Sequence, residues 1–290
     1  MSTGSQEFVR ATPRPGGPIV SAVGYRTRGL PPALHRGLPS PYLTVIFTLD
    51  EPVVGGHTPE EALGPDAVRT DIVVGGLHQS PEYIAQSGSE SGIQLSVHPL
   101  AARALLGAPA ADLAGPVAVE GTDVLGRTAA LLREELVGLD DWRARFDLLS
   151  GYLTRRTAGD PLAGVRPEVA EAWTWLARHR GAGTLKGLAA HVALSERRLT
   201  TLFRAETGLA PKQAARLMRF QHAKAAVVRA VDAGAPPDLS RVAAEHGYCD
   251  HSHLVRDFRQ YTGLSPTRWL AEECRNIQAG GHHNGEDSEP

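Results

Sequence analysis

A thirteen-residue pattern in the second half of the chain occurs twice, 55 residues apart. Leu199-x3-Phe203-Arg204-x2-Thr207-Gly208-Leu209-Ala210-Pro211 returns as Leu254-x3-Phe258-Arg259-x2-Thr262-Gly263-Leu264-Ser265-Pro266. A short run with small residues precedes each copy, Leu188-Ala189-Ala190-His191-Val192 and Val242-Ala243-Ala244-Glu245-His246-Gly247. Repetition at a fixed period dictates architecture before any local motif does. Two copies are too few for a solenoid, so the pattern describes a tandem of small helical units.

Each copy reads as two short helices joined by a tight turn. In the first, Leu185 to Val192 makes a helix whose Ala189 and Ala190 let a neighbour pack closely. Ser195 is an N-cap for the next helix, because its side chain can accept from an otherwise unpaired amide of the first turn. Leu199, Leu202 and Phe203 fall at i, i+3 and i+4, a stripe to be buried. Arg197, Arg198, Thr200, Thr201 and Arg204 take the other face. Gly208 ends the helix and Pro211 opens the next. In the second copy Leu239 to His246 is the first helix, Gly247 starts the turn and Asp250 caps the second helix. Leu254 and Phe258 are inward there, with His251, Ser252, Val255, Arg256 and Arg259 outward, and Trp269 and Leu270 inward on a terminal helix. Both copies have the form of a helix-turn-helix.

The segment between the copies, Lys212 to about Asp232, contains no proline and carries Leu217, Phe220, Ala223 and Val227 on one stripe. As a continuous helix of roughly 20 residues it would span about 30 Å at ~1.5 Å per residue. Successive major-groove faces of a duplex lie ~34 Å apart. A rod of that length would hold two recognition helices in adjacent turns on one face of DNA.

Charge supports this placement. The formal net charge of the 290-residue chain is −2, but residues 1–159 hold 13 Lys/Arg against 17 Asp/Glu and residues 184–270 hold 13 against 7. The balances are −4 and +6, the asymmetry expected of a chain that touches a polyanion with one end. No apolar run approaches the ~18 residues of a membrane span. Met1 to Glu7 lacks the basic and apolar regions of a signal peptide, and two cysteines are too few for a disulfide framework. The expected location is the cytoplasm, with no membrane partner.

Residues 166–274 resemble the DNA-binding domain of the AraC/XylS family of transcription regulators. The specific part is Gly247-Tyr248-x2-His251-Ser252-His253-Leu254-x-Arg256-x-Phe258-Arg259-x3-Gly263-Leu264-Ser265-Pro266. The resemblance implies two helix-turn-helix units joined by a long helix and double-stranded DNA as the partner. It implies base reading by Arg197, Thr200 and Thr201 in the first unit and by His251, Ser252, Val255 and Arg256 in the second. Arg197 and Arg256 carry most weight, since a guanidinium fork bonds both acceptors of guanine. Arg198, Arg204 and Arg259 stand as phosphate contacts, which set register and affinity.

The N-terminal half is expected to be a strand-rich sensor and dimerisation domain. Strands are expected over 42–49 and 67–74, with a hairpin of 83–86 and 93–97. Helices follow over 99–106, 122–137 and 140–156, with Leu125, Leu131, Leu132 and Leu136 on an apolar stripe. Strands followed by two helices resemble the cupin-like barrel and helical hairpin used by many regulators of that family. The resulting fold class is α+β. Its expected parts are a mobile N-terminus (1–18), a sensor domain (19–157), a linker (158–166), the DNA-binding domain (167–274) and a disordered tail (275–290). Leu125, Leu132, Leu136, Phe146, Leu149 and Leu153 suit either a dimer face or packing within the domain. Tyr42, Phe47, Tyr83 and Trp142 are candidates to line a small-molecule pocket.

The leading reading is a sequence-specific DNA-binding regulator controlled by an effector or partner at its N-terminal domain. A small-molecule effector, RNA polymerase and a second copy of the chain join DNA as candidate partners. No catalytic residue, cofactor or metal is assigned. The alternative is a metal-dependent cupin-like enzyme fused to a DNA-binding domain, for which His35, His57, His78 and His98 are the raw material, spaced about 20 residues apart. A zinc site from His246, Cys249, His251 and His253 is disfavoured, since no second ligand pair flanks them.

Overall fold

A computed structural model describes residues 4–278. The N-terminal half consists of two antiparallel sheets. The larger is built from β1 (Ser5–Ala11), β2 (Ile19–Arg28), β4 (Leu43–Thr48), β7 (Ile72–Gly75), β9 (Glu90–Val97) and β10 (Val119–Glu120), in the order β1-β2-β9-β4-β7-β10. The smaller contains β3 (Ala33–Gly37), β5 (Val53–Gly56), β6 (Val68–Thr70) and β8 (Glu82–Gln86), in the order β3-β8-β5-β6. The short helix α1 (Pro59–Leu63) follows β5, capped by the Thr58 hydroxyl.

Strand alternation decides what each face of the larger sheet does. In β4, Leu43, Val45 and Phe47 enter the hydrophobic core, while Thr44 and Ile46 face a cavity between the sheets. In β9, Ile93, Leu95 and Val97 enter the core and Gln94 faces the cavity. Both faces are covered, which is why β4 reads as an almost unbroken apolar run. The core face is sealed by α3 (Gly121–Leu125), α4 (Arg127–Val137) and α5 (Trp142–Arg156). Gly24 on β2 leaves room for the Trp142 ring; an added Cβ there would lie 2.5 Å from it.

Several expectations need correction. Residues 5–11 are not a mobile terminus but an edge strand, paired with β2 from Ser5↔Arg28 to Ala11↔Ala22. The expected strand 67–74 divides at Asp71 into β6 and β7, which belong to opposite sheets. β8 and β9 do not form a hairpin: β8 pairs with β3 and β5, and β9 pairs with β2 and β4. The expected helix 122–137 breaks at Gly126, whose φ of 76° is left-handed. Leu131 leaves the stripe, its surface 58% exposed. Leu125, Leu132, Leu136, Leu149 and Leu153 are buried in the core, so packing within the domain uses the surface that a dimer face would need.

The C-terminal half is all-helical: α6 (Pro167–Arg178), α7 (Leu185–His191), α8 (Glu196–Thr207), α9 (Pro211–Asp232), α10 (Leu239–Glu245), α11 (His251–Thr262) and α12 (Pro266–Gln278). The tail expected to be disordered from 275 begins inside α12 and otherwise lies outside the described residues. The two halves share one core. Trp173 of α6 meets His98 edge-on at 5.7 Å and stacks on Phe203 of α8 at 5.8 Å. Among the described residues, no helix is long and apolar enough to cross a membrane.

Candidate nucleic-acid interface

The repeated sequence builds the same local chemistry twice. Ser195 caps α8 by accepting from the Arg198 amide (3.2 Å), and Asp250 caps α11 by accepting from the His253 amide (2.7 Å). At the other end, the Thr207 hydroxyl donates to the Phe203 carbonyl (2.9 Å) and accepts from the Leu209 amide (3.2 Å). Thr262 does the same with Phe258 (2.7 Å) and Leu264 (3.1 Å). Gly208 (φ 79°) and Gly263 (φ 74°) close the helices by donating their backbone N–H groups to the Arg204 and Arg259 carbonyls. The repeated Thr-Gly-Leu of each copy is therefore a C-terminal cap, fixed by backbone geometry.

The turns before the recognition helices differ by one residue. Leu194 donates its amide to Ala189, and Tyr248 to Ala243, so the first helices end alike. The residue that turns left-handed is Ala193 (φ 55°) in one unit and Gly247 (φ 71°) in the other. The second turn then needs both Tyr248 and Cys249 to reach its cap, where the first needs only Leu194. This explains why the first helices repeat at 54 residues and the second at 55. The Tyr248 ring fills the space gained, against His253 at 5.1 Å and under the Arg219 guanidinium at 5.2 Å.

Burial sorts the recognition helices into the expected faces. Leu199, Phe203, Leu254 and Phe258 are fully enclosed. Arg197, Arg198, Thr201 and Arg204 are exposed on α8, and Thr200 is half-buried; both threonine hydroxyls donate back to the helix, to the Glu196 carbonyl (2.8 Å) and the Arg197 carbonyl (3.0 Å). On α11, His251, Ser252, Arg256 and Arg259 are exposed and Val255 is half-buried. The Arg256 Nε donates to the Ser252 carbonyl at 3.3 Å, holding that guanidinium along the helix.

Sequence reading missed the groups that seat these helices. Arg216 of α9 donates to Asp257 of α11 at 2.7 Å and to Gln260 at 2.8 Å. Asp257 is inaccessible to solvent and only one of its oxygens is bonded. Burial, with the Asp257 carboxylate nearby, pushes the Tyr248 phenol far above its ordinary range. The N-terminal domain grips each unit at its closed end. Arg103 Nε donates to both carboxylate oxygens of Glu206 (2.8 and 2.9 Å), a group only 6% exposed near the end of α8. Arg36 of β3 pairs with Glu272 of α12 at 3.0 Å. The three ties join residues 41, 103 and 236 apart in sequence, beyond any local periodicity.

The candidate effector-pocket aromatics are not brought together. Phe47 and Trp142 lie on the helix-covered side of the larger sheet, whereas the inter-sheet cavity takes Tyr25, His35, His78, Glu82 and Glu90. Among the described residues, no three His, Cys, Asp or Glu are grouped to hold a metal ion.

Residues 188–272 match a family model described as a helix-turn-helix domain. No curated protein sequence matches the chain. Similar solved structures include ToxT from Vibrio cholerae, 8% identical over 93% of this chain and 97% of that one, with a TM-score of 0.47. The DNA-binding domain of the global transcriptional factor AdpA, solved with a target DNA, is 27% identical over 39% of this chain and 99% of that one, TM-score 0.33. The C-terminal domain of AraT, a response regulator from Geobacillus stearothermophilus, is 17% identical over 38% and 88%, TM-score 0.34.

Proposed function

We propose that this chain, whose residues 188–272 match a helix-turn-helix family model, is a regulator of the AraC type that reads two adjacent major-groove segments with one polypeptide. The observation that carries the reading is the pair of equivalent units at the ends of α9. Its 22 residues span about 33 Å at ~1.5 Å per residue, close to the ~34 Å between successive major-groove faces.

The scaffolds of the units match but their outward faces do not. Arg197, Thr200 and Thr201 form the reading face of α8; His251, Ser252, Val255 and Arg256 form that of α11. Arg198, Arg204 and Arg259 are left for phosphates. The target is accordingly an asymmetric site. Regulation enters through the N-terminal domain, which contacts the far ends of α8 and α11 while their reading halves remain exposed, and whose inter-sheet cavity is the place for an effector.

The test is duplex binding by fluorescence anisotropy on a site selected from random DNA, with Arg197→Ala and Arg256→Ala compared. Each variant should cost roughly 1–3 kcal/mol and relax base preference in one segment only. Loss of preference in the same segment by both variants, or no selective duplex binding at low salt, contradicts the reading.

A further inference from the structure

The cavity between the two sheets, about 130 Å³, has a one-sided chemistry. Its walls are mainly aliphatic, with Val23, Ile46, Val53, Val73 and Ile84 among them. Two carboxylates, Glu82 and Glu90, reach it, and no Lys or Arg lines it. Alternation explains the absence: Arg36 and Arg69 occupy the in-between positions of β3 and β6, with His35, Gly37, Val68 and Thr70 taking the cavity side.

The carboxylates differ in how they are satisfied. Glu90 accepts from the Gln86 side-chain amide at 2.7 Å. The Glu82 side chain has no hydrogen bond or ion pair among the described residues, and burial alone lifts its carboxyl to about 7. The two ring nitrogens of His78 do not offset this charge. Its Nδ1 lies 2.6 Å from the Ser80 carbonyl, which can only accept, and burial lowers the ring's pKa, keeping it neutral. A half-buried carboxylate without a partner is poorly solvated, and a cation placed against it offsets that cost and favours its charged form.

We propose that this cavity binds a small apolar amine, with its hydrocarbon body between the sheets and its protonated nitrogen on the Glu82 carboxylate. The volume limits the body to about one ring, since an apolar cavity of ~150 Å³ accepts benzene. A ligand carrying a carboxylate meets Glu82 and Glu90 and no Lys or Arg, so acidic molecules of the same size are disfavoured.

The proposal names the effector class for the regulator described above, and only its effect on DNA rests on that reading. The strands carrying the cavity also hold the second helix-turn-helix unit. On β8, Glu82 and Ile84 face the cavity, while Tyr83 between them lies under the Arg36 guanidinium at 5.8 Å and with its hydroxyl 4.0 Å from where a Gly263 Cβ would stand. Gly263 ends α11, and Arg36 pairs with Glu272 of α12. A ligand drawn to Glu82 therefore pulls on the strand against which the second reader sits.

The experiment is calorimetric titration of the full chain with benzylamine, benzyl alcohol and benzoate at neutral pH. Benzylamine should bind at least about tenfold more tightly than benzyl alcohol, the gain of a charge-assisted contact, and benzoate should not bind. Glu82→Gln should lose that preference while keeping the affinity for benzyl alcohol. Benzoate binding as well as benzylamine, Glu82→Gln leaving the amine preference intact, or none of the three binding at millimolar concentration would each overturn the proposal. The comparison of ligands on the wild-type chain stands even if Glu82→Gln does not fold. Failure of the protein to bind duplex DNA would sink the regulator reading and leave the titration untouched.

Discussion

Arg216→Met isolates the contact that holds the second recognition helix on the central rod. In the native protein the Arg216 guanidinium lies 2.7 Å from an Asp257 carboxylate with no solvent exposure. The other Asp257 oxygen has no hydrogen-bond partner, nor do the Tyr248 and Tyr261 hydroxyls. Removing the cation strands that carboxylate in the interior, with only the neutral Tyr248 and Tyr261 hydroxyls beside it. Breaking a fully buried pair costs about 3–5 kcal/mol. The Arg216 side chain is 37% exposed, so water screens that end and the expected loss falls to about 2–3 kcal/mol. Replacing both groups, as Arg216→Met with Asp257→Leu, removes the stranded charge and should recover most of the loss, to within about 1 kcal/mol of wild type. Urea unfolding followed by far-ultraviolet circular dichroism reads this as a midpoint shift. The reasoning is refuted if the single variant costs under about 0.5 kcal/mol, or if the double variant is at least as unstable as the single one.

Three other outcomes follow from the same structure. Ala193 holds a left-handed conformation (φ 55°) where its counterpart is Gly247, so Ala193→Gly should stabilise the chain by up to about 1 kcal/mol in the same unfolding assay; a loss of stability would show that the turn is unstrained. His98 accepts from the Leu100 amide through Nδ1 (3.3 Å), and burial depresses its pKa from 6.5 to about 4. The unfolded state therefore binds the extra proton between pH 6.5 and 4, and this contribution, on the order of 3 kcal/mol, is full above that window and lost as pH falls through it. His98→Asn should flatten that segment of the stability profile, and an unchanged acid slope would exclude the assignment. Replacing Arg198, Arg204 or Arg259 with Ala should each weaken DNA binding evenly across sequences and lower the slope of log affinity against log salt by about 1; a sequence-dependent loss would make that residue a base reader instead.

The helical half was legible because its information is local. Caps such as Ser195 and Asp250, stops such as Gly208 and Gly263, and the Leu199/Phe203 and Leu254/Phe258 stripes all act within one or two helical turns. The outward faces could be read by subtraction. Sheet pairing is nonlocal, and there the reading failed where strands changed partners. Asp71 separates two strands of different sheets without a glycine or proline to mark the break, and the Ser/Gly-rich stretch between β8 and β9 connects sheets instead of turning a hairpin. Phe8 and Val9 looked like part of a polar terminus until β2 gave them a partner. The ties that complete the site are hidden for the same reason. Arg216–Asp257 and Arg103–Glu206 are 41 and 103 residues apart, and the acids of the cavity arrive on β8 and β9 from separate sheets.

The central claim is that one chain reads two different segments of duplex. The most direct measurement is hydroxyl-radical footprinting of the purified protein on its selected site, repeated with 5 base pairs inserted between the protected segments. Two unlike protected segments about one helical turn apart are predicted. The insertion turns one segment to the opposite side of the helix, so protection there should vanish while the other persists at reduced affinity. A single protected segment, a palindromic pair, or protection indifferent to the insertion would contradict the account.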